Sequence, residues 1–534
     1  MMLFTKGYIM LIEKNKESFL ELLPLITKDR GKPINTLELT SLLEVYGLRD
    51  IDAKNDYGYD DLFHMSEDMY ELVSTRKYPQ KLAKIEKEPN RIKRVTKHYI
   101  EGLAFAMPMI VQILFTLVLG YAIWSSLDYD LEIATVIAVG TFLALVITGP
   151  TAQAIGRKGL YYLKLEEFAL ASASVRMLYL IGVLFVILIA ILLYIIQLFF
   201  SVFIDYYYLV MIMFFVLLSI FFLNTSVYYM KEQHGRLLMH VLFGMIVVYF
   251  LHTIFGIELP DAQFYTILIV DIEMTFFVFL KLRNMRNQSE TDEGFMLPKA
   301  SIMFYSLVPF YTYGFLYFLF LILDRIVAWT VPETAKPYFI WFNVPYELGL
   351  DWALIALVLL MGFVEAGIYE FMYIMNGIIA KYKYNESKKF SKKISNFMKK
   401  FLIIYFISSI LVMLFVYFTI KAGGVYFEIP QLKIFLQEPT PFVFWIAAVS
   451  YIFLVASLLN ILFLFAMSRQ TVPVKYILIA TAINLIVGII LSRVISFEYA
   501  VFGLLCGTIY LYFSTFNYTR RAINKLDYYY YSAF

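Results

Sequence analysis

Long apolar runs separated by short polar stretches dominate the chain from residue 102 onward. Twelve of these runs reach the roughly 20 residues that a helix needs to cross a bilayer. Their approximate limits are 103–125, 132–154, 177–201, 207–229, 237–256, 262–281, 302–327, 350–373, 401–420, 441–467, 475–492 and 498–518. The pattern predicts an all-α polytopic membrane protein with twelve transmembrane helices.

The first hundred residues follow a different pattern. Within 1–98 no apolar run has spanning length, and charged residues interrupt every hydrophobic patch. Residues 18–27 and 36–47 show helical spacing, with Asn35 or Thr36 as the N-cap. We expect a small helical cytoplasmic region here. A partly disordered tail is the alternative, because residues 55–67 are acidic and rich in turn formers.

A hydrophilic loop divides the twelve runs into six and six. The predicted organisation is therefore a cytoplasmic N-terminal region at 1–98, an N-lobe at 99–282, an inter-lobe loop at 283–301, a C-lobe at 302–519 and a cytoplasmic tail at 520–534. Because each half holds an even number of spans, the halves would run parallel to each other. Such halves enclose a cleft at mid-membrane.

Composition excludes several other classes of protein. The chain is 61% hydrophobic and only 16% charged, whereas a soluble domain carries about 25% charged residues. A net charge of +3, spread evenly, provides no surface for nucleic acid. The single cysteine, Cys506, cannot form a disulfide framework. His240 and His252 are too far apart to share a metal, and we expect neither a metal nor a cofactor.

The basic residues predict the orientation in the membrane. With the amino terminus inside, 23 lysines and arginines of the membrane region fall on the inner side and five on the outer side. The outer five are Arg325, Lys336, Lys421, Lys433 and Arg493. The positive-inside rule therefore predicts that both termini are cytoplasmic in a multi-pass protein of the cell (inner) membrane.

All five tryptophans fall at the outer ends of the spans or in an outer loop. They are Trp124, Trp329, Trp341, Trp352 and Trp445. An interfacial aromatic belt explains this without a further function. The alternative is an outer vestibule in which Trp329 and Trp352, with Tyr313 and Tyr317, stack on sugar rings.

Four carboxylates at bilayer depth are candidates for a transport cavity or for ion coupling, because buried charge in a membrane is costly. Asp271 and Glu273, two residues apart in the sixth run, point about 200° from each other on a helix and cannot face the same groove. In the eighth run, Glu365 lies deeper than Glu370. Each acid either has a structural partner, such as Arg176 or His240, or faces the cleft.

Asp324 and Arg325 are placed near the outer end of the seventh run. They could form an ion pair or a gate between the lobes. Interfacial anchoring by snorkelling explains them equally well, since charge is tolerated near the membrane surface.

The lysine-rich stretch from Lys381 to Lys400 has three interpretations. It can be the positive-inside signal alone. It can lie on anionic lipid as an amphipathic helix, because Ile378, Tyr382, Phe390, Ile394 and Phe397 have near-helical spacing. It can also dock a cytoplasmic synthase.

Several short stretches carry a resemblance to a known family. They are Leu223–Asn224, Tyr228 to Arg236, Tyr313–Gly314, Leu323 to Arg325 with Trp329, Glu365 to Met372, and Leu526 to Phe534. In these residues the chain resembles the Pel exopolysaccharide transporter family (PelG-like) of the multidrug/oligosaccharidyl-lipid/polysaccharide (MOP) flippase superfamily. The resemblance covers about 102–534 and leaves out the longer N-terminal region.

This resemblance implies a two-lobed exporter of a cationic amino-sugar polymer in a biofilm polysaccharide complex. The implied partners are membrane lipid, the polymer, a cytoplasmic glycosyltransferase and small membrane proteins that sense cyclic di-GMP. A lipid-linked oligosaccharide or multidrug flippase is the nearest alternative. A membrane glycosyltransferase is a second, based on Asp128, Asp130 and Glu132, but the short loop that holds them and the absence of a P-loop motif favour a transporter over an enzyme.

Overall fold

The structure, a computed structural model, describes residues 22, 33, 35–45, 47–75, 91–288, 300–332, 339–379, 387–426 and 430–525. These residues form two compact units, Met1–Arg94 and Val95–Phe534. Some sequence predictions fall outside the described residues. They are most of 18–27, residues 289–299 of the inter-lobe loop, residues 381–386 of the lysine-rich stretch, and the tail at 526–534.

The N-terminal unit contains two helices, Thr36–Val45 and Leu62–Thr75. Asn35 caps the first helix as predicted, because its Oδ1 accepts the Glu38 backbone N–H at 2.8 Å. Asp50–Asp52 and Ala53–Tyr57 connect the two helices. The apolar core of this unit includes Leu39, Leu42, Leu43, Leu48, Leu62, Met65 and Met69.

Twelve long helices occur among the described residues from residue 91 onward. They are α1 (Arg91–Leu119), α2 (Leu131–Lys164), α3 (Phe168–Phe200), α4 (Asp205–Met230), α5 (His234–Tyr249, continued by Phe250–Ile254), α6 (Leu259–Asn287), α7 (Ala300–Trp329), α8 (Val344–Ile379), α9 (Ser387–Val425), α10 (Thr440–Ala466), α11 (Thr471–Val494) and α12 (Val501–Asn524). No strand occurs in the described part of the chain. Each helix contains one of the twelve apolar runs or most of it.

Among the described residues, eleven helices are long and apolar enough to cross a membrane. The twelfth, α6, has 29 residues and carries Asp271 and Glu273 near its middle. The chain is therefore a multi-pass membrane protein, and the predicted all-α class with twelve long helices is confirmed.

Several helices extend well beyond their apolar runs. Helix α1 begins twelve residues before the predicted first span and ends before Gly120, whose φ of +84° does not continue a helix. Helix α9 has 39 residues and includes the lysines of its first four turns. Lysine and glutamate are good helix formers, so a helix does not stop where hydrophobicity stops.

The start of α9 packs on protein rather than on lipid. Ile394 and Phe397 are buried in a cluster with Phe371 of α8, Phe463 of α10 and Ile523 of α12. The interpretation that these two side chains insert into a membrane surface is therefore wrong, because the neighbouring helices cover them.

Two large hydrophobic cores organise the membrane region. One is built mainly from α2 to α6 and extends to Phe310, and the other begins at Tyr313 and continues through α8 and α10 to α12. Helix α7 contributes its first half to the first core and its second half to the second. The lobes thus meet along α7.

Candidate functional site

Helices α2 and α7 form a close contact between the two lobes. At their crossing, a Cβ added to Gly149 would lie 2.8 Å from the carbonyl oxygen of Gly314, and one added to Gly314 would lie 2.6 Å from that of Gly149. Real side chains do not approach so closely, so the two backbones touch here only because both residues are glycine.

The same contact extends to either side of the crossing. Toward the start of α2, the Phe342 backbone N–H donates to Thr135 Oγ1 at 2.9 Å. Toward its end, the Arg157 guanidinium lies 5.3 Å from the centre of the Phe310 ring. Helix α2 therefore contacts α7 and the segment that follows α7 along most of its own length.

Helix α1 makes a second contact between the lobes. A Cβ on Gly102 would lie 2.9 Å from the Cα of Gly362 in α8. Nearby, the Tyr99 hydroxyl donates to the Leu359 carbonyl at 3.0 Å, and the His98 ring stacks on Tyr369 at 3.4 Å between centroids.

On another part of its surface, α1 contacts the N-lobe. The Tyr229 hydroxyl donates to the Phe105 carbonyl at 2.9 Å, and the two rings lie 4.1 Å apart. Helix α1 therefore connects the end of α4 with α8 of the opposite lobe.

A buried ionic cluster lies where α7 ends and α8 begins. Arg325 Nη1 forms a short ion pair with Glu347 Oε2, and Arg325 Nη2 lies 3.4 Å from Asp351 Oδ1. Trp329 Nε1 donates to Glu347 Oε1 at 2.9 Å. The sequence interpretation that Arg325 snorkels to an interface is wrong, because its side chain is only 10% exposed and is enclosed by carboxylates.

Asp324 is also buried in this cluster. It is 0% exposed, its Oδ2 accepts the Tyr346 hydroxyl at 2.9 Å, and its Oδ1 has no hydrogen-bond partner among the described residues. Two carboxylates therefore pair with the Arg325 guanidinium, and a third, Asp324, is close enough for its charge to act on it. A buried ionic cluster stabilises the fold only while its ion pairs and hydrogen bonds are intact, because a buried charge that loses its partner is strongly destabilising.

The cluster touches the N-lobe through aromatic rings. Phe142 of α2 stacks on Trp329 at 5.1 Å between centroids, and the Arg325 guanidinium lies 5.7 Å from the centre of the same Phe142 ring. A cation above an aromatic face is attracted to it. The ionic cluster of the C-lobe thus forms part of the contact between the lobes.

The two acids of α6 occupy different environments. Asp271 is 3% exposed, and neither of its carboxylate oxygens has a hydrogen-bond partner in the described part of the chain. The Tyr179 hydroxyl, which donates to Asn224 Oδ1 at 2.9 Å, is close enough for the Asp271 charge to act on it. Glu273 instead faces α5, with its Oε2 3.2 Å from His240 Nδ1.

The two acids of α8 are also separated. Glu365 is exposed and lies against Gly102 of α1, within electrostatic range of His98 and Glu101. Glu370 is 1% exposed. The sequence predicts that Glu365 lies deeper in the membrane than Glu370, but Glu370 is the more buried of the two in the structure. Burial depends on which neighbouring helix covers each face of α8, not on depth along the helix alone.

The remaining predicted site residues lie apart from the ionic cluster or are enclosed by protein. Arg176 is exposed on α3, with its guanidinium 5.8 Å from the Phe279 ring. Trp352 is buried against Phe435. Tyr313 and Tyr317 stack at 5.9 Å inside the bundle. Trp329 and Trp352 are thus core residues in this structure rather than members of a lipid-facing belt.

Solved structures with the same arrangement of helices are transporters. A eukaryotic MATE transporter, AtDTX14, superposes with a TM-score of 0.55 at 12% identity, covering 83% of this chain and 99% of that one. This is the MATE fold of the MOP superfamily. A multidrug resistance MATE family transporter in its outward-facing conformation matches with a TM-score of 0.50 at 14% identity, over 83% of this chain and 98% of that one.

A third structure shows the breadth of this fold. A MOP superfamily transporter from Pyrococcus furiosus matches with a TM-score of 0.51 at 14% identity, over 82% of this chain and 97% of that one. No protein-family model and no curated protein matches this sequence. The chain therefore has the fold of MATE transporters, while membership of the MOP superfamily and of its Pel branch stays a prediction.

Two members of the ionic cluster were missed by sequence reasoning. Glu347 precedes the eighth apolar run, which begins at residue 350, and Asp351 is the second residue of that run, so neither was considered among the carboxylates at bilayer depth. A signal was present: Glu347 and Asp351 are four residues apart, as are Arg325 and Trp329, so each pair occupies one face of a helix. In the MATE fold of this chain, these two faces meet.

Proposed function

We propose that this protein is a membrane transporter that moves its substrate between its two six-helix lobes. The observation that supports this most directly is the MATE fold, matched over more than four fifths of the chain. A transporter of this kind alternates its opening by moving one lobe against the other around a central site. The α2–α7 and α1–α8 contacts are the surfaces that would rearrange.

A reversible cross-link between the lobes tests this proposal. Thr135→Cys and Phe342→Cys introduce cysteines at neighbouring positions, since the Phe342 backbone nitrogen lies 2.9 Å from Thr135 Oγ1, in a Cys506→Ser background that removes the only native cysteine. Oxidation should abolish transport in the double variant, and reduction should restore it. Each single cysteine variant, treated in the same way, is the control. Unchanged transport in fully cross-linked protein would exclude movement at this contact.

We further propose that the substrate is an extracellular polysaccharide of the Pel type, exported across the cytoplasmic membrane with both termini inside. The support is the sequence resemblance, including Asp324, Arg325 and Trp329, which the structure brings into one cluster. In this proposal a cytoplasmic glycosyltransferase and small cyclic di-GMP-sensing membrane proteins work beside the transporter.

Lipid-linked oligosaccharide or drug transport remains the competing function, because the fold fits it equally. Deleting the gene in its host separates the alternatives. Loss of secreted polymer with unchanged drug sensitivity supports polysaccharide export. Increased sensitivity to cationic drugs, or accumulation of lipid-linked sugar, with normal polymer secretion contradicts it.

We propose Asp271 as the residue that couples transport to a proton or a cation. Its carboxylate is buried, and no donor in the described residues satisfies it, so ionisation without a bound cation is costly at this depth. Asp271→Asn should therefore reduce transport driven by an ion gradient. Asp261→Asn, which alters an exposed acid in the first turn of the same helix, is the matched comparison. Equal activity of Asp271→Asn and wild type would remove Asp271 from this role.

A further inference from the structure

A group of basic side chains converges at one end of the N-lobe. Lys231 follows the last residue of α4, Arg236 lies in the first turn of α5, and Lys281 lies near the end of α6. All three are outside the contacts between the lobes described above. They form the Lys231–Arg236–Lys281 cluster.

Side-chain contacts bring the three helix ends together. Lys281 Nζ lies 3.3 Å from the centre of the Tyr228 ring, one turn before the end of α4. The Tyr228 hydroxyl is 2.7 Å from His240 Nε2, and His240 is one turn beyond Arg236 on α5. The like charges of Lys231 and Arg236 both act on Lys281 across this short distance.

In the described part of the chain, none of the three cations forms an ion pair with a carboxylate. Lys281 Nζ is shielded from solvent and has no hydrogen-bond acceptor among the described residues. The nearby acid on α6, Glu273, faces His240 at 3.2 Å, and the charge of Glu232 acts on His234 and Glu365. The amino terminus of α5 adds the partial positive charge of a helix dipole at the same place.

The three cations therefore form a site whose charge a bound anion would neutralise. A lysine ammonium above an aromatic ring keeps its remaining N–H donors for an acceptor on the other side. Arginine, lysine and a helix amino terminus are the groups that bind phosphate oxygens in proteins. We propose that the Lys231–Arg236–Lys281 cluster binds a phosphate group, carried either by an anionic lipid headgroup or by a soluble phosphate compound.

Binding to the full-length protein tests this site. The purified chain in neutral detergent is titrated separately with phosphatidylglycerol, phosphatidylcholine and inorganic phosphate, and thermal stability and native mass spectra are recorded. We expect stabilisation by phosphatidylglycerol, by phosphate or by both, and none by phosphatidylcholine. Response to the lipid alone identifies a headgroup site, and response to phosphate alone identifies a soluble ligand.

Two variants make the test specific. Lys281→Gln should weaken binding about tenfold or more, because a charge-assisted hydrogen bond to the ligand is lost. Lys158→Gln is the matched control, since Lys158 also lies over tyrosine rings, at 5.8 Å from Tyr161, but outside this cluster. The proposal is overturned if no anion binds, or if Lys281→Gln binds as well as Lys158→Gln does.

Discussion

At the scale of single residues, Arg325 has the most demanding environment in the membrane region. Its guanidinium is enclosed by Glu347 and Asp351, and the Phe142 ring of the other lobe lies beside it. Removing the guanidinium leaves the buried carboxylate of Glu347, only 4% exposed, without its ion-pair partner, which is more costly than losing an exposed ion pair.

Replacing Arg325 should therefore destabilise the protein strongly. We expect Arg325→Gln to lower the free energy of unfolding by about 3–5 kcal/mol. Arg493→Gln is the control: Arg493 is exposed at the same end of the bundle and donates to the Thr330 carbonyl at 2.8 Å. Thermal unfolding of both purified variants measures the difference. Equal melting temperatures would show that the ionic cluster does not stabilise the fold.

A second residue-scale prediction concerns pH and the N-terminal unit. Hydrogen bonds from Arg49, at 3.0 Å from Nε to Asp52 Oδ2, lower the pKa of Asp52. A lowered carboxyl pKa stabilises the folded unit above the unfolded-state pKa of about 4, and this stabilisation is lost as pH falls through the folded pKa. Because the pair is exposed, its contribution is below about 1 kcal/mol.

Hydrogen exchange of residues 35–75 in the full chain measures this effect. In wild type, protection should fall as the pH drops below about 4. Asp52→Asn should remove part of that change, whereas Asp56→Asn, at an exposed position of the same unit, should keep it. The same pH dependence in all three proteins would contradict the proposed role of the Arg49–Asp52 pair.

At the scale of secondary structure elements, the glycines of α2 and α7 determine how closely the lobes approach. Any side chain at Gly314 meets the backbone of Gly149, which cannot rotate away as a flexible side chain can. In contrast, a Cβ on Gly156, two turns further along α2, would have no atom within 4 Å.

Replacing one glycine at the crossing and one outside it should distinguish the effect of alanine on the helix itself from its effect on the contact between the lobes. Gly314→Ala should destabilise the closed α2–α7 contact by about 1–3 kcal/mol through overpacking and reduce cross-linking between Thr135→Cys and Phe342→Cys. Gly156→Ala should leave cross-linking unchanged. The measurements are melting temperature and cross-link yield. Full cross-linking in Gly314→Ala would mean that the helices need not touch at this point.

Sequence patterns predicted the elements better than their ends or partners. Apolar runs located all twelve long helices, because bilayer thickness determines a minimum length of hydrophobic chain. They missed the polar extensions of α1 and α9, because polar residues with high helix propensity continue these helices beyond the hydrophobic runs. They also left Glu347 outside the eighth run and put Asp351 at its very start, so neither acid was recognised as a partner of Arg325. Pairing between Arg325 and these acids depends on the packing of α7 against α8. The spacing of residues within one helix does not show which other helix it packs against.

At the scale of the whole molecule, two cores share one helix. Because α7 packs its first half in one core and its second half in the other, each lobe is stabilised partly by a helix that also belongs to its neighbour. The division into six and six helices stays a prediction from loop polarity. The sharing of α7 between two cores could not be predicted, because it depends on contacts between residues far apart in sequence.

The orientation of the whole molecule in the membrane remains a prediction from charge, and cysteine labelling tests it. In the Cys506→Ser background, Gln437→Cys and Asn524→Cys place single thiols at exposed positions near opposite ends of the bundle. The positive-inside rule predicts that a membrane-impermeant maleimide labels Gln437→Cys in intact cells and Asn524→Cys only after lysis. The reverse pattern would invert the topology.

The glycine crossing of α2 and α7 has a geometric consequence for the size of any movement. At 1.5 Å per residue, the crossing at Gly149 lies about 27 Å from the start of α2 and about 22 Å from its end. Used as a fulcrum, it would make α2 a lever with two nearly equal arms. A tilt of about 15° would carry the two ends by roughly 7 Å and 6 Å in opposite directions. One small rotation would then widen one mouth of the bundle while narrowing the other.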